Sequence, residues 1–143
     1  MDYKVKQCVS EGVYADLAEI ASAHPSLNAL KNASVLITGA GGFIGFYLTA
    51  ALLLRNDLYG DGITVTALVR SRQRAEQKFG DLLRRGDLTL CVQDVTEPIR
   101  APRADYLIHA ASQASNIQFE TDPVGTINAN LTGTANVLAF AKN

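Results

Sequence analysis

"TGAGGFIG", residues 38–45, sets four glycines in eight positions. Glycine is a poor former of strands and helices, because it loses the most backbone freedom on ordering and offers no side chain to pack. A chain that drops the side chain four times here must bring its backbone close to something. The flanks narrow the choice. Upstream, "SVLIT" (34–38) is short, β-branched and apolar throughout, the pattern of a central parallel strand buried on both faces. Downstream, Ile44, Tyr47, Leu48, Ala51 and Leu52 recur at helical spacing and end near Arg55-Asn56.

A strand that enters a glycine turn and a helix that leaves it form the context of a dinucleotide-binding turn. Gly39 is expected to permit the tight turn and Gly42 to let the backbone approach a pyrophosphate. Gly45 is expected to let the helix pack closely on the sheet. The N–H groups of residues 42–45 and the helix dipole then face the phosphates. A glycine-rich turn with no ligand is the alternative. The spacing is GxxGxxG rather than GxGxxG, and no Gly-Lys-Ser/Thr follows, so the segment is not a P-loop.

Beyond the turn the chain goes on alternating. "DGITVTALVR" (61–70) predicts a second strand, and Arg72 to Arg85 a polar helix closed by Gly86. "DLTLCVQDV" (87–95) alternates apolar and polar residues, which suits a sheet edge, and "ADYLIHAAS" (104–112) predicts a fourth strand. Asp122-Pro123 opens a long helix, with Asp as cap and Pro in the first turn, and Ile127, Leu131, Thr134, Leu138 and Ala141 form its stripe. The succession implies an α/β fold, a Rossmann-type doubly wound parallel sheet in the order 3-2-1-4. Its ligand crevice lies where the winding reverses, between the first and fourth strands. Residues 1–33 read as a helical extension, one amphipathic helix with Val13, Leu17 and Ile20 on a face, then a connector broken by Pro25. Residues 34–143 read as a dinucleotide-binding domain.

Composition restricts the partners. The 143 residues carry 13 basic and 14 acidic side chains, a net charge of −1, so no global field recruits nucleic acid or an anionic membrane. The most apolar run, Leu48 to Leu54, is too short for a transmembrane helix. Cys8 and Cys91 form no CxxC pair and read as free thiols in a reducing cytoplasm. His24 and His109 are isolated, so no metal site is expected.

The glycine segment also resembles the TGxxGxxG fingerprint of the extended short-chain dehydrogenase/reductase superfamily. "QDV" (93–95), "HAAS" (109–112) and "NLTGTANVL" (130–138) continue the likeness in order and spacing. The phrase from His109 to Ala141 is similar to the NAD-dependent epimerase/dehydratase group, among whose members are UDP-glucuronate decarboxylases and dTDP-glucose 4,6-dehydratases. The resemblance covers about residues 33–143 and implies an NAD(P)-dependent enzyme acting on a nucleotide sugar. In such enzymes the nicotinamide takes a hydride from a sugar carbon, and the keto intermediate is eliminated, decarboxylated or re-reduced. A homo-oligomer is the implied assembly.

Carried over residue by residue, the resemblance makes Gly39, Gly41, Gly42, Phe43, Ile44 and Gly45 the cofactor turn. It sets Asp94 and Val95 beside the adenine, and Ala110, Ala111 and Ser112 along the nicotinamide ribose. His109 is a packed strand residue rather than a base. Asn130 either helps arrange the active site or ties helix to sheet as a buried amide. Two departures stand out. An NAD site of this architecture usually ends its second strand with Asp or Glu bonded to the ribose 2′-hydroxyl. Here "LVRSRQR" supplies Arg70, Arg72 and Arg74. Arg70 can accept a 2′-phosphate or stack on adenine, so the cofactor stays NAD(P), NAD or NADP. The family's catalytic Tyr-x-x-x-Lys is absent, since none of Tyr3, Tyr14, Tyr47, Tyr59 and Tyr106 has Lys four residues on. The chain therefore looks like a cofactor domain cut after its fourth helix and inactive alone, with no catalytic residue to name. A non-catalytic NAD(P)-binding regulatory module is the alternative.

Overall fold

The computed structural model describes residues 3–23, 25–113 and 116–142; His24 lies outside them, as do Ala114 and Ser115. The N-terminal extension opens with two helices, α1 (Val5–Cys8) and α2 (Glu11–Ser22), then a 3₁₀ turn at Pro25–Leu30. The single helix expected before Pro25 is thus preceded by a short one. Strand β1 (Ser34–Thr38) leads through the glycines into α3 (Phe43–Tyr59), followed by β2 (Thr64–Val69) and α4 (Arg72–Phe79). Strands β3 (Leu88–Val92) and β4 (Tyr106–His109) precede α5 (Asn116–Thr121) and α6 (Pro123–Ala141).

The four strands form one parallel sheet in the order β3-β2-β1-β4, as the alternation implies. Ile37 of β1 stands opposite Ala67 of β2 and Ile108 of β4, so the first strand is central. Val35, Leu36 and Ile37 are correspondingly buried. The edge position of β3 agrees with its alternating pattern.

The polar helix expected over Arg72–Arg85 stops early. At Gly80 the backbone turns to φ +51°, a conformation that favours glycine, and a 3₁₀ turn (Gly80–Arg84) takes over. Between β4 and α6 the chain forms α5, a helix that the sequence reading does not predict. In α6 the packed face consists of Ala129, Gly133 and Val137, with Gly133 held against Val95. The large stripe residues point outward: Ile127, Leu131 and Leu138 are 55%, 69% and 64% exposed.

Helix α3 shows why the extension exists. Every residue from Thr49 to Arg55 is buried, which a helix of 3.6 residues per turn cannot achieve against one layer. The sheet covers one side. Helices α1 and α2 cover the other, with Val5, Leu17 and Ala21 fully buried in the same hydrophobic cluster as Leu53 and Leu54. Arg55, 4% exposed, fastens this layer: its Nε donates to Asp61 Oδ2 at 2.6 Å and its Nη1 to the Ala21 carbonyl at 2.7 Å. Its Nη2 donates to Asn28 Oδ1 at 2.9 Å.

Candidate functional site

At the C-terminal ends of the strands lies an open cavity of about 500 Å³. It crosses the sheet from Asp94 and Thr96 behind β3, past Arg70, Ser71 and Arg74 behind β2 and the glycine turn behind β1, to Ala110–Gln113 behind β4. Gly125, Asn128 and Ala129 of α6 close the far side. Such a crevice at the reversal of winding is where open α/β sheets hold ligands.

The four glycines divide into two kinds. Gly39 has φ +66°, and a Cβ on it would stand 2.6 Å from the Ala111 nitrogen, so the backbone just after β4 excludes the side chain. A Cβ on Gly45 would overlap the Gly39 carbonyl oxygen and stand 2.7 Å from Ala40 Cα. Gly45 therefore lets α3 close on the turn rather than on the sheet. Gly41 and Gly42 answer to no such constraint. A Cβ at Gly41 would make an ordinary contact, 3.5 Å from Val69 Cγ1, and one at Gly42 would sit 3.2 Å from the Gly39 oxygen. Gly42 has φ −73° and ψ 174°, a backbone that any residue adopts. Both are exposed and line the cavity, so the wall there is bare backbone for reasons that the fold does not supply.

Helix α3 starts at this bare wall without a side-chain cap, unlike α4 and α6, whose first turns Ser71 and Asp122 cap. The expected set of free N–H groups needs one correction. The Gly42 N–H donates to the Gly39 carbonyl at 2.9 Å and is not free. The first backbone bond of the helix runs from the Phe46 N–H to Gly42 O, which leaves the N–H groups of Phe43, Ile44 and Gly45 for a ligand. An uncapped helix start behind two exposed glycines fits the pyrophosphate of a dinucleotide.

Of the other expected residues, Arg70, Asp94, Val95, Ala110, Ala111 and Ser112 line the cavity. Phe43 and Ile44 do not; their side chains are 72% and 66% exposed at the helix start, so any role there belongs to their backbone. Asn130 is exposed rather than a buried amide, and its Oδ1 accepts from Ser112 Oγ at 3.0 Å. The bond ties α6 to the segment after β4. Asp94 Oδ1 accepts from the Thr96 N–H (2.9 Å) and Oγ1 (2.8 Å), which anchors the turn after β3.

His109 is a packed strand residue, as the sequence implies. The Ala111 N–H donates to Thr38 Oγ1 at 3.3 Å, and that hydroxyl meets His109 Nδ1 at 2.6 Å. On the other side Nε2 meets Thr134 Oγ1 at 3.3 Å, and the Thr134 hydroxyl donates to the Asn130 carbonyl. The Thr134 hydroxyl gives its one proton to Asn130, so Nε2 carries a hydrogen, and in a neutral ring Nδ1 then accepts from the Thr38 hydroxyl. Burial pushes the imidazole pKa below its ordinary value, which agrees with a neutral ring.

Sequence reasoning missed Thr96, Gln113, Asn128 and the cap Asp122 as cavity residues. The cap was legible at Asp122-Pro123, but its proximity to the glycine turn depends on how α6 crosses the sheet. Among the described residues no cluster of three or more His, Cys, Asp or Glu could hold a metal, and no helix is long and apolar enough to cross a membrane.

Comparison with known proteins agrees with this geometry. The model of the NAD dependent epimerase/dehydratase family matches residues 35–143. UDP-glucuronic acid decarboxylase 1 of Arabidopsis thaliana is 31% identical over 112 residues, 78% of this chain and 24% of the relative. UDP-glucuronic acid decarboxylase 1 of Danio rerio is 32% identical over 108 residues, 76% of this chain and 24% of the relative. The chain thus spans about a quarter of the length of these curated relatives. Among solved structures, Pen from Bacillus thuringiensis superposes with a TM-score of 0.62 at 24% identity, over 78% of this chain and 34% of that one. The UDP-Glc/GlcNAc 4-epimerase of Campylobacter jejuni gives 0.60 at 16% identity, over 77% and 33%. Both likenesses concern the fold.

Proposed function

The chain belongs to the NAD dependent epimerase/dehydratase family, and on that premise we propose that it is the dinucleotide-binding part of an enzyme acting on a nucleotide sugar. The observation that carries the reading is the bare wall at Gly41 and Gly42 beside the uncapped start of α3. Backbone N–H groups of Phe43, Ile44 and Gly45 would hold the pyrophosphate. Ala110 and Ala111 leave room beside β4, and Ser112, oriented by Asn130, offers a hydroxyl there. A bound nicotinamide dinucleotide supplies the hydride acceptor, and the protein's part is to orient it.

None of the five tyrosines is followed by Lys at the fourth position, so this chain lacks the acid/base pair implied by the resemblance. The 143-residue chain should therefore bind dinucleotide and return UDP-glucuronate and related nucleotide sugars unchanged. Incubation with NAD+ or NADP+ and chromatography of the sugars tests this. Steady product from the pure chain would contradict it.

The homo-oligomer is supported by the outward face of α6, where Ile127, Leu131 and Leu138 leave an apolar stripe open beside the edge strand β4. A second copy covering that stripe would make the chain a dimer by light scattering. A clean monomer at high concentration would count against it.

A further inference from the structure

The end of the cavity behind β2 carries a charge pattern that the dinucleotide reading does not require. Three arginines fall at alternate positions, and the structure separates them. Arg72 turns outward to Glu76, 3.8 Å away. Arg70 and Arg74 line the cavity, and among the described residues neither guanidinium has a hydrogen bond or an ion pair. Between them, Ser71 Oγ accepts from the Arg74 N–H at 3.3 Å and starts α4.

Among the described residues no carboxylate lies within ion-pair distance of Arg70 or Arg74. Where an acidic residue would accept from the adenosine ribose hydroxyls, the chain places Val69, Arg70 and Ser71. Two acids line the cavity, each with one oxygen engaged: Asp94 Oδ1 in the turn with Thr96, and Asp122 Oδ1 with the Gly125 N–H at 2.9 Å. A ribose diol would find guanidinium donors here and no acceptor of the usual kind. A phosphate monoester would find two cations able to bind it in bidentate fashion.

We propose that this end of the cavity selects the dinucleotide that bears a 2′-phosphate, NADP(H) over NAD(H), with Arg70 and Arg74 as the phosphate ligands; the inference rests on the reading of the cavity as a dinucleotide site. The two cofactors differ only in that phosphate, so the preference is readable from binding alone.

The experiment titrates the 143-residue chain with NADPH and NADH by nicotinamide fluorescence, which no tryptophan of the chain obscures. Competition by 2′,5′-ADP and by 5′-ADP repeats it without the nicotinamide. NADPH should bind roughly tenfold or more tightly than NADH, the factor expected of a charge-assisted phosphate contact. In Arg70→Ala/Arg74→Ala, with the fold verified by circular dichroism, NADPH should fall to near NADH while NADH stays unchanged. Equal or tighter NADH binding by the native chain would overturn the selection and leave the dinucleotide site intact. So would a folded double variant that keeps its preference. Equal weakening of both cofactors would mean that the arginines stack on adenine, and would also overturn it. Failure of both dinucleotides to bind the native chain would remove the underlying reading as well.

Discussion

Gly42→Val should abolish dinucleotide binding and leave the chain folded. The residue has an extended backbone that valine adopts without strain, and its Cβ would meet only the Gly39 oxygen, at 3.2 Å. The Gly39 oxygen would have to give by a few tenths of an ångström. Beyond that contact the branched side chain would occupy the cavity beside the uncapped start of α3, where the pyrophosphate needs direct backbone contact. Losing several phosphate hydrogen bonds at about 1.5–3 kcal/mol each removes a hundredfold or more in affinity. Calorimetry with the preferred cofactor, beside a thermal melt of the variant, reads both parts. Gly45→Ala is the contrasting control, because its methyl group would collide with the Gly39 carbonyl and with Ala40 Cα at 2.7 Å. That variant should lose stability whether or not a ligand is present. Undiminished affinity in folded Gly42→Val would mean that the open glycines serve no ligand.

Asp61→Ala is expected to be the most damaging substitution remote from the cavity. Asp61 is 2% exposed, and the Arg55 that it neutralises is 4% exposed. Removing one partner strands the other charge in a dry environment, which costs roughly 3–5 kcal/mol. The cost should appear as a large drop in the urea midpoint, and it should loosen the extension, because Arg55 also holds Ala21 and Asn28. Asp61→Asn keeps an acceptor and should fall between native and alanine. A loss below about 1 kcal/mol for the alanine variant would show a pair with the small worth of a solvated surface contact.

These two sites differ in how legibly the sequence carries them. The glycine turn, the parallel sheet and its strand order follow from local signals: an apolar strand, a glycine cluster, a capped helix. The resemblance assigned Asp94 and Ala110–Ser112, and the end of the second strand pointed to Arg70; all of them line one crevice, because each stands at the end of a strand and parallel strands end on the same side. The role of Gly45 was only half readable, since the atoms that exclude its side chain belong to Gly39 and Ala40 across the turn. The exposure of Asn130 depends on the rotation of α6, which Gly133 fixes by its fit against Val95. Helix boundaries moved where glycine could adopt positive φ, as at Gly80, inside a run otherwise suited to a helix. The burial of Arg55 had a faint signal. An arginine at the end of the apolar run Leu48–Leu54 reads as a helix terminus meeting water. Only the packing of α2 on α3 shows that it lies between two layers and needs Asp61.

The central claim is that the crevice at the C-terminal ends of the strands holds a nicotinamide dinucleotide by its pyrophosphate. Amide-resolved NMR of the native chain during titration with NADPH tests it most directly. Saturable binding should shift the backbone amides of Gly41, Gly42, Phe43, Ile44 and Gly45 most, with Arg70 and Ser112 following. Saturable binding that leaves these amides unmoved would contradict the account.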